Sequence, residues 1–188
     1  MPEAMPPVSA DNHLYFVTSV THKRLPVFRT DRFKQLLADA FDEARSSSGI
    51  KFFAYAIMPD HYHVITDNTR KPSEVLRYLN GISARRVIDH LKEEGLSSSL
   101  NKLKKKEKKD EYKYSLWEHH SNTFFITSES MLLQKVRYIH DNPVKESLAG
   151  EPGSYAFCSA RYWNRLPLLE NEPLEMDIKE LSWRNPRF

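Results

Sequence analysis

The chain has 188 residues, a formal net charge of +3 and a hydrophobic content of 40%. This length and composition are typical of one globular domain. No apolar run approaches the roughly 18 residues that a membrane span requires, and residues 1–12 lack the basic and apolar segments of a signal peptide. Cys158 is the single cysteine, which excludes an internal disulfide and favours a reducing compartment, the cytoplasm.

Hydrophobic periodicity predicts seven elements along the chain. The first six are a strand at 13–20, a helix at 32–47 capped by Asp31, strands at 52–57 and 61–65, a helix beginning at Pro72, and a strand in two segments, 112–117 and 123–126. The seventh is a helix that Ser128 can cap and that Pro143 is expected to end near residue 141. This order predicts an α+β, ferredoxin-like fold, an antiparallel sheet backed by helices, with the last helix added to it.

The stretch around residues 52–65 contains two histidines on one predicted strand. His61 and His63 are two residues apart, so they share a face of the strand, while Tyr62 points to the other face. Two residues along a strand span about 6.6 Å, which allows two imidazoles to bind one cation. A polar sheet face with no metal would show the same spacing, so this pattern alone leaves both interpretations open.

The last predicted helix contains a second polar pair. Tyr138 and Asn142 are four residues apart and therefore lie one above the other on the helix surface. They flank an apolar stripe formed by Leu132, Val136 and Ile139, which places them at the border with the sheet. If the sheet presents the two histidines there, a phenol, an amide oxygen and two imidazoles meet in one site.

Two segments carry a resemblance to a known family, MPDHYHVI at residues 58–65 and KVRYIHDNPVKESLAG at 135–150. They resemble the single-tyrosine HUH transposases (IS200-like), especially the REP-associated branch. The resemblance covers about residues 13–163, which implies a leader at 1–12, a nuclease domain at 13–163 and a tail at 164–188. It also implies that Tyr138 is the catalytic nucleophile and that His61, His63 and Asn142 bind Mg²⁺ or Mn²⁺.

The function implied by the resemblance is cleavage and rejoining of single-stranded or hairpin DNA through a 5′-phosphotyrosine intermediate. Two alternatives stay open. One is a DNA-binding module of the same fold without activity, and the other is a metal-dependent phosphodiester hydrolase in which water attacks. The oligomeric state, monomer or homodimer, also stays open.

Positive charge is clustered on two segments of the sequence. Lysines attract DNA phosphates without regard to sequence, although a solvated loop would have the same composition. The residues predicted to contact DNA are Arg77, Arg85, Arg86, Lys102, Lys104, Lys105, Lys106, Lys108 and Lys109.

Residues 164–188 mix leucines with acidic residues. We expect this tail to pack on the protein surface through its apolar side chains. The alternative hypothesis is that it folds across the basic DNA-binding face and restrains activity.

Overall fold

The computed structural model describes residues 14–105, 114–119 and 121–181. Within them, one antiparallel sheet has the strand order β2-β3-β1-β4, with β1 at Leu14–Val20, β2 at Phe52–Ile57, β3 at His61–Thr66 and β4 at Asn122–Ile126. The helices are α1 (Asp31–Ser48), α2 (Pro72–Glu93), α3 (Ser97–Lys102), α4 (Glu129–Lys145) and α5 (Ala160–Trp163). The order β1-α1-β2-β3-α2-β4 with this strand arrangement is ferredoxin-like, which confirms the predicted fold class.

The two faces of the sheet have different coverings. On one face, the Tyr62 ring packs against Phe41 of α1 at 5.0 Å between centroids, and its hydroxyl donates to Asn80 of α2 at 2.7 Å. On the other face, the His63 ring contacts Tyr138 of α4 at 5.3 Å between centroids. The strand alternation predicted from the sequence is therefore confirmed, because Tyr62 and His63 point to opposite sides.

Helix α4 runs past the proline that was expected to end it. The prediction was wrong because Pro143 lies inside the helix, which continues to Lys145 and packs Ile139 and Pro143 in the core. Beyond the proline, Glu146 N–H donates to the Asn142 carbonyl at 3.0 Å, so helical bonding continues. The local preference against helix before proline is overridden here by tertiary packing.

Three other sequence predictions about elements need correction. Of the strand segment predicted at 112–117, residues 112 and 113 lie outside the described part of the chain, and the rest has isolated bridges at Tyr114, opposite Lys104, and at Trp117, opposite Thr21. Helix α3 was not predicted, because its serines favour turns. The N-cap of α1 is Thr30, and the carboxylate of Asp31 instead accepts a bond from Lys34 at 2.8 Å.

The chain after α4 covers the outer edge of β2. Ser159 N–H donates to the Tyr55 carbonyl at 3.0 Å, and Ile57 N–H donates to the Phe157 carbonyl at 2.9 Å. Farther on, Asp177 N–H donates to the Phe52 carbonyl at 2.8 Å. These bonds satisfy backbone groups that an edge strand would otherwise expose.

The described part of the tail, up to residue 181, packs beside α1 and β2. Leu174 is 1% exposed, and Arg45 of α1 bonds to the Glu175 carbonyl. The described part of the tail therefore lies along the outer edge of β2 and against α1. It does not cover the face of the sheet that carries His61 and His63, called the histidine face below. Among the described residues, no helix is long and apolar enough to cross a membrane.

Candidate active site

Two buried histidines form the centre of the site on β3. Their ring centroids are 4.9 Å apart, and the ring planes are inclined by 76°. The register places His63 beside Thr18 and His61 beside Val20 of β1. Because β1 and β2 flank β3, strand pairing on either side holds the backbone that carries the two histidines.

Asp60 in the turn before β3 orients His61. Its Oδ1 lies 2.6 Å from Nδ1 of His61, and its Oδ2 accepts a bond from Arg24 at 3.0 Å. Burial opposes ionisation of this carboxyl, but the bonds and charges of His61 and Arg24 outweigh it and lower the pKa of Asp60 below its ordinary value. With Nδ1 engaged by a carboxylate, Nε2 of His61 is the nitrogen available for a cation.

His63 has one engaged nitrogen and one free nitrogen. Its Nδ1 lies 2.7 Å from Oγ1 of Thr18. Its Nε2 is buried and has no hydrogen-bond partner among the described residues. Burial, reinforced by the charges of His61 and Lys135, lowers the pKa of His63 to about 3. The ring is therefore neutral at pH 7, the form in which histidine binds metals.

Tyr138 lies on α4 at the open side of the histidine pair. Ser128 begins this helix by accepting a bond from Met131 N–H at 3.2 Å. The Tyr138 side chain is 42% exposed, and its ring meets His63 edge-on at 5.3 Å between centroids. The phenol is thus accessible to a large substrate while its ring is held against the site.

Asn142 lies one helical turn after Tyr138 and is buried. Its side-chain amide donates to the Tyr138 carbonyl at 2.8 Å, which leaves the amide oxygen as its atom for a cation. In the part of the chain that the structure describes, no three His, Cys, Asp or Glu side chains cluster as a metal site. The unpartnered nitrogen of His63 and the oriented ring of His61 nevertheless fit a divalent cation that accepts imidazole ligands.

Tyr62, between the two histidines, is not available for chemistry. It is fully buried on the α1/α2 face, where its hydroxyl accepts a bond from Ser19 at 3.1 Å and donates to Asn80. Burial raises the pKa of this phenol well above its ordinary value. The middle residue of the histidine motif therefore has a packing role.

The arginines predicted to contact DNA lie on α2, on the face of the sheet opposite to the histidines. Arg85 and Arg86 of α2 form ion pairs with Glu43 of α1, in the helix layer on the opposite face of the sheet. Arg77 lies over the Tyr78 ring at 5.4 Å. The predicted residues Lys106, Lys108 and Lys109 fall outside the described part of the chain.

The described lysines of the charge run lie at the end of α3. Lys102, Lys104 and Lys105 line a cavity of about 560 Å³ together with Lys23 from the loop after β1. Lys23 has a positive φ of 54°, a backbone conformation that is uncommon for a residue with a side chain. Neither His61 nor His63 lines this basic cavity.

Sequence reasoning missed three residues that shape the site. Asp60 was interpreted only as part of a turn, although its position directly before His61 was a usable signal. Arg24 reaches the site from a distant segment, through Asp60, and nothing in the local sequence around Arg24 indicates this partner. Lys135 lies three residues before Tyr138 on the same helix, with its ammonium 5.7 Å from the centroid of the Tyr138 ring, so helical spacing was a usable signal.

Comparisons with known proteins identify a matching family and similar folds. A profile of the family described as "Transposase IS200 like" matches residues 9–142. The fold is similar to a solved structure described as "Structure of the REP associates tyrosine transposase bound to a REP hairpin", at 15% identity, with 100% of this chain and 99% of that chain covered and a TM-score of 0.60.

A second similar structure is that of a candidate transposase from Deinococcus radiodurans R1, at 22% identity, with 75% of this chain and 97% of that chain covered and a TM-score of 0.47. No curated protein matched the chain. The profile match spans most of the chain and includes both histidines, the tyrosine and the asparagine. The chain therefore belongs to the IS200-like transposases, a family of single-tyrosine HUH enzymes that act on DNA.

Proposed function

We propose that the protein cleaves and rejoins single-stranded DNA with Tyr138 as the nucleophile. The phenol oxygen forms a bond to phosphorus, the bond from phosphorus to the 3′ oxygen of the preceding nucleotide breaks, and the phenol proton is transferred so that a 3′-hydroxyl leaves. The product is a 5′-phosphotyrosine, which a DNA 3′-hydroxyl can attack to reverse the step. The observation that carries this proposal is the exposed Tyr138 phenol, whose ring contacts a buried, neutral His63.

The residues proposed to bind Mg²⁺ or Mn²⁺ are His61, His63 and Asn142. When bound, such a cation polarises a phosphate oxygen and offsets the charge that develops on it. The chain itself contributes orientation, because Asp60 holds the His61 ring and Asn142 bonds to the backbone at Tyr138. Two ammonium groups also flank the Tyr138 ring, Lys145 at 5.5 Å and Lys135 at 5.7 Å, where they can attract the phosphate that Tyr138 attacks.

The proposed substrate is a DNA hairpin with a single-stranded flank. A structure of similar fold is described as a REP-associated tyrosine transposase bound to a REP hairpin, which supports a hairpin substrate and the REP-associated branch for this chain. We assign the reaction to residues 13–163 as the nuclease domain, preceded by the leader at 1–12 and followed by the tail at 164–188.

Incubation of the protein with a hairpin oligonucleotide and Mn²⁺ tests this function on a denaturing gel. Tyrosine attack links the protein to the 5′ end of the downstream fragment, so a 3′-labelled strand shifts to the mass of an adduct. A 5′-labelled strand instead gives a shorter, free product. A hydrolase would shorten both strands without an adduct, and an inactive binding module would leave both uncut.

Tyr138→Phe should abolish the adduct, because it removes the attacking oxygen and keeps the ring that packs on His63. Thermal stability and DNA binding should stay near those of the wild type. Tyr78→Phe on α2 is the matched control and should form the adduct normally. An adduct formed by the Tyr138→Phe variant would assign the nucleophile to another tyrosine.

The assignment of His61 and His63 as metal ligands is tested by measuring Mn²⁺ binding. The double variant His61→Ala/His63→Ala should lose Mn²⁺ binding by titration calorimetry, and chelation of the metal should stop adduct formation by the wild type. Unchanged Mn²⁺ affinity in the double variant would refute the assignment without bearing on Tyr138.

A further inference from the structure

An exposed aromatic side chain extends the histidine face toward the sheet edge. The register pairs Phe124 of β4 with Phe16 of β1, so both rings are on the face that bears His63. Phe16 stacks on the His63 ring at 5.5 Å between centroids, with the planes inclined by 16°. Phe124 continues this row outward and is 54% exposed. The row therefore begins at the buried site and ends in solvent.

A cation lies over this row of rings. The ammonium of Lys135 is 4.8 Å from the centroid of Phe16 and 5.1 Å from that of Phe124. The same ammonium also contacts the Tyr138 ring, one helical turn farther along α4. Within the described residues, Lys135 has no carboxylate partner, so its charge can meet an anion of the substrate. A flat apolar ring and an unneutralised cation thus adjoin the proposed nucleophile.

We propose that Phe124 stacks an unpaired nucleobase of the DNA strand and that Lys135 binds the phosphate attached to it. A base offers a flat face to an aromatic ring whatever its identity, and its phosphate needs a cation nearby. Because one ammonium contacts both Phe124 and Tyr138, the stacked nucleotide is adjacent to the phosphate that Tyr138 attacks. Phe124 and Lys135 are therefore positioning residues for the strand.

This inference rests on the proposed single-stranded substrate and adds a reason for that preference. In a duplex the bases are stacked on their neighbours, so an exposed ring cannot reach a base face without unstacking one. The Phe124 surface consequently favours an unpaired strand over a duplex. The histidine pair alone would not distinguish an unpaired strand from a duplex, since a metal ion bound there would contact only phosphate.

The same strand supplies a matched control. Phe125 is 51% exposed, close to the exposure of Phe124, but its register partner is Tyr15 and it lies on the opposite face of the sheet. Its ring meets Tyr15 edge-on at 5.3 Å between centroids. Truncation of Phe125 therefore removes an equal ring from the same strand without touching the proposed nucleotide site.

The test is a binding comparison that does not require cleavage. In the full-length Tyr138→Phe protein, affinity is measured for a thymidine oligonucleotide of about 20 nucleotides and for an abasic strand of equal length and charge. The parent should bind the thymidine strand about ten-fold more tightly. Phe124→Ala and Phe124→Leu should lose this preference, Phe124→Trp should keep it, and Phe125→Ala should bind as the parent does.

Lys135→Met should weaken the binding of both strands. The slope of log affinity against log salt should fall by about 0.7, the value for one phosphate contact on a single strand. Phe124→Leu retains apolar bulk, so its loss of preference cannot be attributed to unfolding. Equal affinity of the parent for both strands, no binding of either, or an undiminished preference in Phe124→Leu would overturn the proposal. Adduct formation by the wild type on hairpin DNA would still report separately on Tyr138.

Discussion

Asp60 connects the turn before β3 to the proposed metal ligands. Its two carboxylate oxygens have different partners, His61 on one side and Arg24 on the other. A carboxylate bonded to the far nitrogen of a metal-binding histidine fixes the ring and raises its basicity. His61 and, to a smaller extent, Arg24 lower the pKa of this carboxyl, and Arg24 also bonds to its second oxygen. The segment after β1 thus contributes to the site through Asp60.

We expect Asp60→Ala to lower the affinity for Mn²⁺ on the order of 10- to 100-fold, as loss of such a partner does in other metal sites. Titration calorimetry measures this affinity directly, and adduct formation should recover at high Mn²⁺ concentration. Asp89→Ala, which removes an exposed carboxylate paired with Lys92 on α2, is the control. Wild-type affinity in Asp60→Ala would show that His61 needs no orienting partner.

At the scale of elements, helix α4 carries residues of the proposed site along one edge and a hydrogen-bonded histidine on its buried side. One edge carries Lys135, Tyr138, Asn142 and Lys145, spaced so that they follow one another along the helix. The buried side includes His140, whose Nε2 lies 2.9 Å from Oγ of Ser159. Ser159 in turn bonds to the backbone of β2. The helix that carries the proposed nucleophile is thereby connected through one hydrogen-bonded pair to the outer strand of the sheet.

The burial of His140 predicts a pH dependence of stability. Burial lowers the pKa of His140 from 6.5 to about 4, so the folded state binds this proton less readily than the unfolded chain. The resulting stabilisation is present in full above pH 6.5 and is lost as the pH falls toward 4. Between pH 7 and pH 5 the loss is roughly 2 kcal/mol, since one pKa unit corresponds to about 1.4 kcal/mol.

His140→Gln retains hydrogen-bonding capacity toward Ser159 and cannot titrate. Urea unfolding in the presence of a chelator, which keeps metal binding from contributing, should show a smaller loss of stability from pH 7 to pH 5 in this variant. His63 has a lowered pKa as well, so some pH dependence of the same sign remains. An identical loss in variant and wild type would mean that His140 titrates normally in the folded protein.

Across the whole molecule, positive charges differ in whether acidic residues offset them. Glu43 pairs with both Arg85 and Arg86, which reduces the charge that α2 presents. Lys102 and Lys104 have no ion pair with any described residue and adjoin the basic cavity beside α3. Lys102 and Lys104 are therefore better suited than Arg85 and Arg86 to release counterions from DNA.

Replacing Lys102, Lys104 and Lys105 with glutamine should weaken binding to all single-stranded sequences alike. The slope of log affinity against log salt should fall by about 0.7 for each lysine that binds a phosphate in the wild type. Arg85→Gln/Arg86→Gln should change the slope less, because Glu43 already offsets those charges. A slope unchanged by the lysine replacements would identify these lysines as a solvated surface.

The tail contributes to the stability of the whole fold through Leu174. This side chain is 1% exposed in the core, whereas Leu168 is 50% exposed. Leu174→Ala should lower the free energy of unfolding by about 2–5 kcal/mol, and Leu168→Ala by no more than about 0.5 kcal/mol. Equal effects in urea unfolding would contradict the packing of the tail. Activation of cleavage by Leu174→Ala would instead revive the hypothesis that the tail restrains activity.

The sequence by itself determined the features that depend on neighbours along the chain. Strand alternation placed His61 and His63 on one face and Tyr62 on the other, because side chains along any strand alternate. Helical spacing placed Tyr138 and Asn142 one above the other beside an apolar stripe. The order of elements was sufficient for a ferredoxin-like fold, since few topologies accommodate it.

Tertiary structure alone decided the features that depend on contacts between distant segments. Strand register brought Phe124 and Phe16 into line with His63, and the loop after β1 brought Arg24 to Asp60. Packing against the sheet also carried α4 through Pro143, against its local preference. In each case the deciding energy comes from burial and hydrogen bonds between segments many residues apart, and local periodicity does not encode those pairings.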